Sequence, residues 1–406
     1  MSQYIRRLGI VIVLSLCLVA CQNSEEEDSS TLSNLEGTIL IWHTWPEPES
    51  LILEQLFNNF TKLHSDVTIV SEFVPSDNIQ DRFIDQANSG LGPDLLIGAD
   101  MFLIKQLLEE DLLLNFFGYG LNTDHLLPQA VDALRIQKNL YAIPFAADTT
   151  VLYYNRELIE EPPTLLHDLL QEAKAGQVVA LPVNFRDSFW GVKAYGGKVF
   201  AEDGTILVDD GIVSWLEWLV EAQNEPTIIL SSNYDDLFNA FINEEAAYFI
   251  GSSFERPEIV AALGAEKAGI ANLPDAVVAA GSFLDIEAIA MSRITAQGKV
   301  GRALIEFLIN VPNQRIIALS DHGKISMNQN VTFDKRLAPI PEILNRQSVH
   351  TLIVPLSQVD IEEYLFDIGD EIYLQVLSGV LEPEEAAKRL SEEVNELARF
   401  SNASNN

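Results

Sequence analysis

Aromatic and hydrogen-bonding side chains cluster directly after the first strand-like segment of the chain. The stretch that begins at Trp42 reads WHTWPE. Flat rings can cover the C–H faces of a sugar, while hydroxyls and carboxylates can bond its hydroxyl groups. Thr44, Trp45 and Glu47 are therefore candidate binding residues for a polyhydroxylated ligand. Trp42 either ends the strand inside the core or faces the ligand together with these residues.

Two aspartates occupy comparable places later in the chain. Asp100 follows the apolar segment 94–97. It can accept hydrogen bonds from ligand hydroxyls, or it can cap the helix that starts at Met101. Asp148 lies a few residues beyond Pro144, in a segment that we expect to pass between two lobes. We predict that both carboxylates face a ligand.

The expected second lobe adds a further set of candidates. Trp190 either stacks on a ligand or fills a core, and Arg186 and Asp187 either bind hydroxyls or form a surface ion pair. The complete set from this lobe is Asp187, Trp190, Phe254, Phe283 and Phe366.

Catalytic and metal-binding motifs are absent from the sequence. There is no nucleophile elbow, no phosphate-binding loop and no zinc motif, and the six histidines are scattered. A glycosidase needs two carboxylates at a set separation, but no sequence feature selects a pair among 60 acidic residues. We expect a protein without catalytic residues, cofactor or metal.

The N-terminus decides the compartment. Arg6 and Arg7 precede an apolar run that is too short to span a bilayer, and the run ends in LVAC at Cys21. This ending resembles the lipobox of bacterial lipoproteins. It implies a signal peptide at 1–20, lipidation at Cys21, and a protein held outside the cell membrane, in the periplasm or on the outer face, by its lipid alone. The acidic, polar stretch 21–36 is typical of a disordered tether.

Net charge excludes two classes of partner. The full chain carries −35, and removal of residues 1–20 with their two arginines leaves −35 − 2 = −37. Such a chain is repelled by nucleic acid phosphates and by anionic lipid headgroups. We therefore expect no nucleic acid partner, and contact with the membrane only through the lipid.

Strand and helix patterns alternate after the tether. Apolar strand-like runs at 38–42, 67–74 and 94–97 are separated by helical periodicity at 49–64 and 77–87. This order predicts a parallel sheet with its ligand site beyond the carboxyl ends of the strands. About 370 residues are too many for one ordinary core, so we expect two lobes.

One segment resembles a known family. Residues 141–158 read YAIPFAADTTVLYYNREL, which resembles the signature of family 1 extracellular solute-binding proteins, the group that includes maltose-binding protein. Gly92-Pro93-Asp94, the stretch 238–251, the helix and tail at 303–314 and the closing stretch 379–387 resemble further segments of that family in the same order. The resemblance covers nearly all of residues 37–400.

The resemblance implies an α/β, two-lobed periplasmic-binding-protein fold of type II, with mixed sheets flanked by helices and joined by a hinge. We expect one lobe from 37–143 plus 284–330 and the other from 144–283 plus 331–406. It also implies a monomer that captures a mono- or oligosaccharide and delivers it to the permease subunits of an ABC importer.

Two departures leave the ligand open. The family often has Gly-Pro-Trp where this chain has Gly251-Ser252-Ser253-Phe254, and the aromatic residue of the penultimate helix is Phe366 rather than tryptophan. A non-sugar solute such as a polyamine remains an alternative, since an acidic cleft suits a cation. Iron capture, a glycoside-acting enzyme and a surface sensor without a transporter are further alternatives.

Overall fold

The computed structural model describes residues 35–200 and 210–404. The predicted signal peptide, Cys21 and the tether up to residue 34 lie outside the described residues. Within them, the expected alternation of strands and helices is present, and its register explains how the site is assembled.

Three parallel strands form one side of the first half-sheet. They are β1 (Gly37–His43), β2 (Val67–Phe73) and β3 (Leu95–Ala99), in the order β2-β1-β3. Two helices connect them, α1 (Ser50–Leu63) and α2 (Ser76–Asn88). Helix α1 buries apolar residues three or four positions apart, which is the stripe expected of a helix that covers a sheet.

A long strand, β6 (Ala142–Asn155), joins the two halves of the molecule. Its first part pairs antiparallel with β11 (Leu284–Met291), which itself pairs with β3. Its last part pairs antiparallel with β9 (Tyr248–Ser252). The change of partner falls between Thr149 and Thr150, so one strand belongs to both half-sheets.

The second half-sheet has the order β6-β9-β7-β8, with β7 (Val179–Pro182) and β8 (Ile228–Ser231) parallel to each other and β7 parallel to β9. Strands β10 (Ala268–Ala271) and β12 (Ile325–Ser326) pair with β6, and β4 (Arg135–Ile136) and β5 (Asn139–Leu140) form a separate hairpin. The two-lobed α/β fold with mixed half-sheets is therefore confirmed.

Further helices cover both half-sheets. The bounds are α3 (Met101–Glu109), α4 (Pro128–Ala133), α5 (Leu166–Lys174), α6 (Phe185–Ala194), α7 (Asp210–Ala222), α8 (Tyr234–Ile242), α9 (Arg256–Leu263), α10 (Gly298–Leu308), α11 (Val311–Ala318), α12 (Pro339–Ser348), α13 (Val359–Leu377) and α14 (Pro383–Ser404). None of the helices within 35–200 and 210–404 has the length and hydropathy of a membrane-spanning segment.

The described residues form two apolar cores, which do not coincide with the two half-sheets. The first surrounds β1, β3 and β11, where it includes Phe60 and Trp45, and it continues across β6 to Phe241 on α8 and Phe249 on β9. The second lies among α6, α7, α13 and α14 and includes Trp190 and Trp215. The expected residue boundaries of the lobes stay a prediction.

The segment before β12 touches both halves. Ser253 Oγ, next to β9, donates a hydrogen bond to Gly323 O at 2.9 Å, and Arg256 Nη1 pairs with Asp321 Oδ1 at 3.0 Å. Gly323 has φ +66°, and a Cβ atom there would lie 1.9 Å from Ser253 O. A side chain at this position would therefore collide with backbone that is itself held by hydrogen bonds.

Candidate functional site

A cleft lies where β6 passes from one half-sheet to the other. Three adjoining cavities of about 400, 340 and 370 Å³ compose it, and Arg186 and Asp285 line all three. Residues from the carboxyl ends of β1, β3 and β9 reach the same space, including Thr44, Asp100 and Ser252. The cleft therefore has the position that open α/β sheets offer to ligands.

The first wall is built from the turn after β1. Thr44 Oγ1 donates to Gly98 O at 2.7 Å, and Trp45 Nε1 donates to Glu287 Oε2 at 2.9 Å. The Trp45 ring stacks on Phe145, with ring centroids 5.4 Å apart. Trp45 is only 1% exposed, so it supports the floor of the cleft and presents little surface to a ligand.

Asp100 combines the two roles that its sequence position allows. Its Oδ1 accepts a hydrogen bond from the Leu103 backbone N–H at 2.7 Å and so caps α3. The same residue lines two of the three cavities. The cap fixes the carboxylate at the edge of the cleft, where it can also accept hydrogen bonds from a ligand.

Three carboxylates meet at the centre of the cleft. Asp148 on β6 lies opposite Asp285 on β11, and Glu287 follows two positions later on the same strand. Ser252 Oγ donates to Asp148 Oδ1 at 3.1 Å. Burial, and then the negative charge of Asp285, raise the pKa of Asp148 to about 7. These groups offer acceptors for hydroxyl donors, and Asp148 can also donate when it is protonated.

A buried lysine underlies this group. Lys324 Nζ lies 2.7 Å from Glu287 Oε1 and 3.1 Å from Glu49 Oε1, and its side chain is 1% exposed. Burial lowers the pKa of Lys324, but the charges of Glu287, Asp148 and Glu49 outweigh burial and hold the pKa above its usual value. Burial also raises the pKa of Glu49. The lysine thus stays charged and fixes Glu287 in one orientation.

The opposite wall comes from α6 and from the turn after β9. Arg186 Nη2 lies 2.5 Å from Asp285 Oδ1, which places an ion pair across the cleft between the two halves of the molecule. Asp187 accepts a hydrogen bond from Asn184 Nδ2 at 2.8 Å. Phe254 is 44% exposed, and its ring lies 5.0 Å from Lys324 Nζ. This wall supplies an exposed ring and the carboxylate of Asp187.

The cavity of about 400 Å³ is lined mainly by apolar side chains, and we call it the apolar chamber. Its walls include Met101, Phe102, Phe283, Val354, Val359 and Phe366. Phe283 stacks on Phe189 at 4.6 Å, and Phe366 meets Phe283 edge to face at 5.3 Å. Glu362 also lines this chamber, and burial raises its pKa to about 7.

Three of the predicted ligand residues are not brought to the cleft. Trp190 is wholly buried and packs against Trp215, with ring centroids 5.1 Å apart, because it lies on the face of α6 that packs against α7. Trp42 is also buried, under the Arg82 guanidinium at 4.4 Å. Glu47 is exposed on the turn before Pro48 and lines none of the three cavities. For the two tryptophans, the core alternative is the one that the packing supports.

The other predicted ligand residues line the cleft. They are Thr44, Trp45, Asp100, Asp148, Asp187, Phe254, Phe283 and Phe366. Their lining of one space does not test their roles in binding, which stay predictions.

Asp285, Glu287, Lys324 and Glu362 also line or support the cleft but are not among the residues predicted from the sequence. Asp285 and Glu287 had a readable signal, because they are two acidic residues at alternate positions in the otherwise apolar strand LDIEAIAM. Alternate positions of a strand face the same side, so both point to one space. No comparable pattern marks Lys324 or Glu362.

Metal binding has no support in the described part of the chain. No group of three or more histidine, cysteine, aspartate or glutamate side chains there is placed to hold a metal ion. The carboxylates of the cleft are instead held by Lys324, Arg186 and Ser252.

Comparison of the sequence with known proteins gives a consistent result. The family profile for bacterial extracellular solute-binding proteins matches residues 55–339. The galactooligosaccharide-binding protein of Bacillus subtilis is 24% identical over 93% of both chains. The maltotriose-binding protein of Pyrococcus abyssi is 30% identical over 177 residues, which are 40% of this chain and 38% of that protein.

Solved structures share the fold at low identity. A cyclo/maltodextrin-binding protein in complex with maltotetraose has a TM-score of 0.75 at 19% identity, over 89% of this chain and 97% of that one. The maltose-binding periplasmic protein of Listeria monocytogenes has a TM-score of 0.76 at 16% identity, over 89% and 98%. At such identity the likeness concerns the fold.

Proposed function

The chain belongs to the family of bacterial extracellular solute-binding proteins, and from that membership we propose that it captures a carbohydrate outside the cell for import. The observation that carries the proposal is the cleft itself. Hydroxyl acceptors on Asp100, Asp148 and Asp187 share one continuous space with the exposed ring of Phe254. Two relatives named for oligosaccharides support the same ligand class.

Charge narrows the class of sugar. Eight carboxyl side chains line the three cavities, whereas Arg186 is the cation among the lining residues. These carboxyl residues are Glu49, Asp100, Asp148, Asp187, Glu255, Asp285, Glu287 and Glu362. Uronic acids and sugar phosphates would be repelled in such a cleft, so the proposed ligand is an uncharged mono- or oligosaccharide.

Calorimetric titration with a panel of neutral oligosaccharides tests the proposal. We expect at least one sugar to bind and to raise the melting temperature, because a ligand that binds only the folded state stabilises it. Spermidine serves as the competing probe. If spermidine binds and no sugar does, the carbohydrate assignment is wrong.

Asp100→Asn locates the binding in the cleft. Asparagine caps a helix about as well as aspartate, so the variant keeps the cap of α3 but loses the charged acceptor. We expect sugar affinity to fall about ten-fold, or about 1.4 kcal/mol, at an unchanged melting temperature of the free protein. Asp132→Asn, on an exposed side chain of α4, is the matched control.

The transport context is also part of the proposal. Closure of the two halves over a sugar would create the form that the permease of an ABC importer recognises, while ATP hydrolysis takes place on other chains. The protein would act as a monomer without catalytic residues or cofactor. Incubation of the purified protein with the bound oligosaccharide should release no reducing sugar.

Anchoring through Cys21 completes the proposal. The sequence ending in LVAC favours lipidation there, although Cys21 lies outside the described residues. A lipid on the first residue of the mature chain would keep the protein near its permease without a membrane-spanning helix.

A further inference from the structure

The apolar chamber differs in chemistry from the two other cavities of the cleft, which we call the polar cavities. Of the ionisable side chains that line the chamber, Asp100, Arg186 and Asp285 also line at least one polar cavity. These three therefore lie at the boundary. Among the described ionisable residues, Glu362 is the one that lines the chamber but neither polar cavity. The Arg186–Asp285 ion pair thus divides a polar space from an apolar one.

Apolar surface in the chamber is already accessible. The Phe102 side chain on α3 is 49% exposed, and the ring of Phe366 on α13 is half-buried. Behind them, Phe283, Val354 and Val359 are between 3 and 5% exposed and form a packed wall. A ligand group could contact this surface without rearrangement of a core.

The chamber walls suit hydrocarbon better than hydroxyl groups. A sugar ring placed against Met101, Val354 and Val359 would bury hydroxyls beside groups that cannot accept or donate a hydrogen bond. Such unpaired groups oppose binding, whereas an apolar group gains by leaving water. The polar cavities offer more hydroxyl partners than the chamber, where the ionisable groups other than Glu362 lie at the boundary with the polar cavities.

We propose that the apolar chamber is a subsite for an apolar substituent of the ligand, so that the protein prefers glycosides with an aryl or long alkyl aglycone over the free sugars. The inference rests on the proposed function, because the sugar part is held in the polar cavities on the other side of the Arg186–Asp285 pair. The aglycone extends past that pair toward Phe102 and Phe366.

Titration with matched pairs of ligands tests the preference. Maltose, lactose and cellobiose are each compared with their methyl and p-nitrophenyl glycosides. We expect a p-nitrophenyl glycoside to bind at least about ten-fold more tightly than its parent sugar, or about 1.4 kcal/mol, and the methyl glycoside to bind like the parent. Equal affinities of parent and p-nitrophenyl forms would overturn the inference and leave the proposed function intact.

Two variants locate the preference in the chamber. Phe102→Ser and Phe366→Ser should each reduce the p-nitrophenyl preference to less than about three-fold, and Phe102→Ser should leave the affinity for the parent sugar unchanged. Phe117→Ser is the matched control, since Phe117 is 65% exposed and lies outside the three cavities. A preference that survives in both chamber variants would overturn the inference. If no sugar binds in any form, the proposed function fails and the inference fails with it.

Discussion

Lys324 shows how a single cation organises the floor of the cleft. It lies between Glu49 and Glu287, and Glu287 in turn accepts the hydrogen bond from Trp45 Nε1. Removal of one partner from a buried charge group leaves the remaining charges uncompensated, which costs far more than the intact group contributes. The arrangement of Trp45 and Glu287 therefore depends on a residue that does not line the cleft.

Lys324→Met should lower the free energy of unfolding by about 3–5 kcal/mol, because Glu49 and Glu287 would remain buried without a cation. Urea denaturation at pH 7 measures the loss. Lys335→Met, on an exposed side chain, should change stability by less than about 0.5 kcal/mol. Equal losses in the two variants would show that the buried ion pairs of Lys324 do not contribute to the free energy of unfolding.

Asp148 gives the protein a distinct dependence on pH. Its folded pKa is about 7, whereas an unfolded aspartate has a pKa of about 3.9. Between these values the folded state holds a proton that the unfolded state has lost, so this residue lowers stability progressively from about pH 4 to pH 7. Above pH 7 the penalty is complete, and below pH 4 it is absent.

Asp148→Asn removes that penalty. We expect the variant to be more stable than the parent by about 2–4 kcal/mol above pH 7, with a difference that disappears near pH 4. Denaturation curves at intervals of one pH unit measure the trend. A stability difference that does not change with pH would contradict the raised pKa. Asp132→Asn, on an exposed side chain, is the matched control.

At the level of single residues, the sequence predicts which interactions a side chain can make better than it predicts where that side chain lies in the fold. Asp100 was expected as a cap or a ligand residue, and its geometry permits both. Trp190 could not be placed from its neighbours in sequence, because only the packing of α6 against α7 decides that its ring meets Trp215. The role of Lys324 could not be predicted from the sequence, because the two carboxylates that it neutralises lie far from it in the chain.

Among the elements, local patterns predicted the helices and strands closely. Helix α1 and strands β1 and β3 agree with their apolar periodicity to within a few residues. Helix α10 ends at Leu308, and Pro312 belongs to the first turn of α11, where proline is well tolerated. The position of β11 between β3 and β6 followed from no local pattern, because it depends on pairing across more than a hundred residues.

Gly323→Ala tests the contact between the segment before β12 and the turn after β9. The added methyl group would collide with the Ser253 carbonyl, and φ of +66° is itself unfavourable for alanine. Gly118 is the matched control, since its φ is +75° and no atom lies within 4 Å of the added Cβ.

Gly118→Ala should cost about 1 kcal/mol from backbone strain alone. Gly323→Ala should cost about 1–3 kcal/mol more, because overpacking adds to the strain. Chemical denaturation of the two variants gives the difference directly. If the two losses agree within error, the Gly323–Ser253 contact does not restrict the chain.

For the whole molecule, the ion pair between Arg186 and Asp285 and the shared strand β6 are consistent with two bodies that move about a common axis. We predict that a sugar which binds in titration reduces the radius of gyration in small-angle scattering. A sugar that does not bind should leave the scattering curve unchanged. An unaltered radius with a saturating, tightly bound sugar would rule out closure.

Lipid anchoring is the second prediction at this scale. Cys21→Ser should move the protein from the membrane fraction to the soluble fraction, because the acyl chains would have no attachment point. Fractionation after an alkaline wash, followed by immunoblotting, measures the distribution. Retention of the serine variant on membranes would point to another anchor.

The order of the strands in the sheet has a consequence for biosynthesis. Strands β1, β2 and β3 are complete once residue 99 has been made, but β3 keeps an open edge until β11, at residues 284–291, arrives beside it. The second core is completed by α13 and α14, which pack on α6 and α7 and come last of all. Neither half can therefore finish folding before most of the chain has been synthesised. A chain that folds this late remains without its native tertiary structure through most of its synthesis.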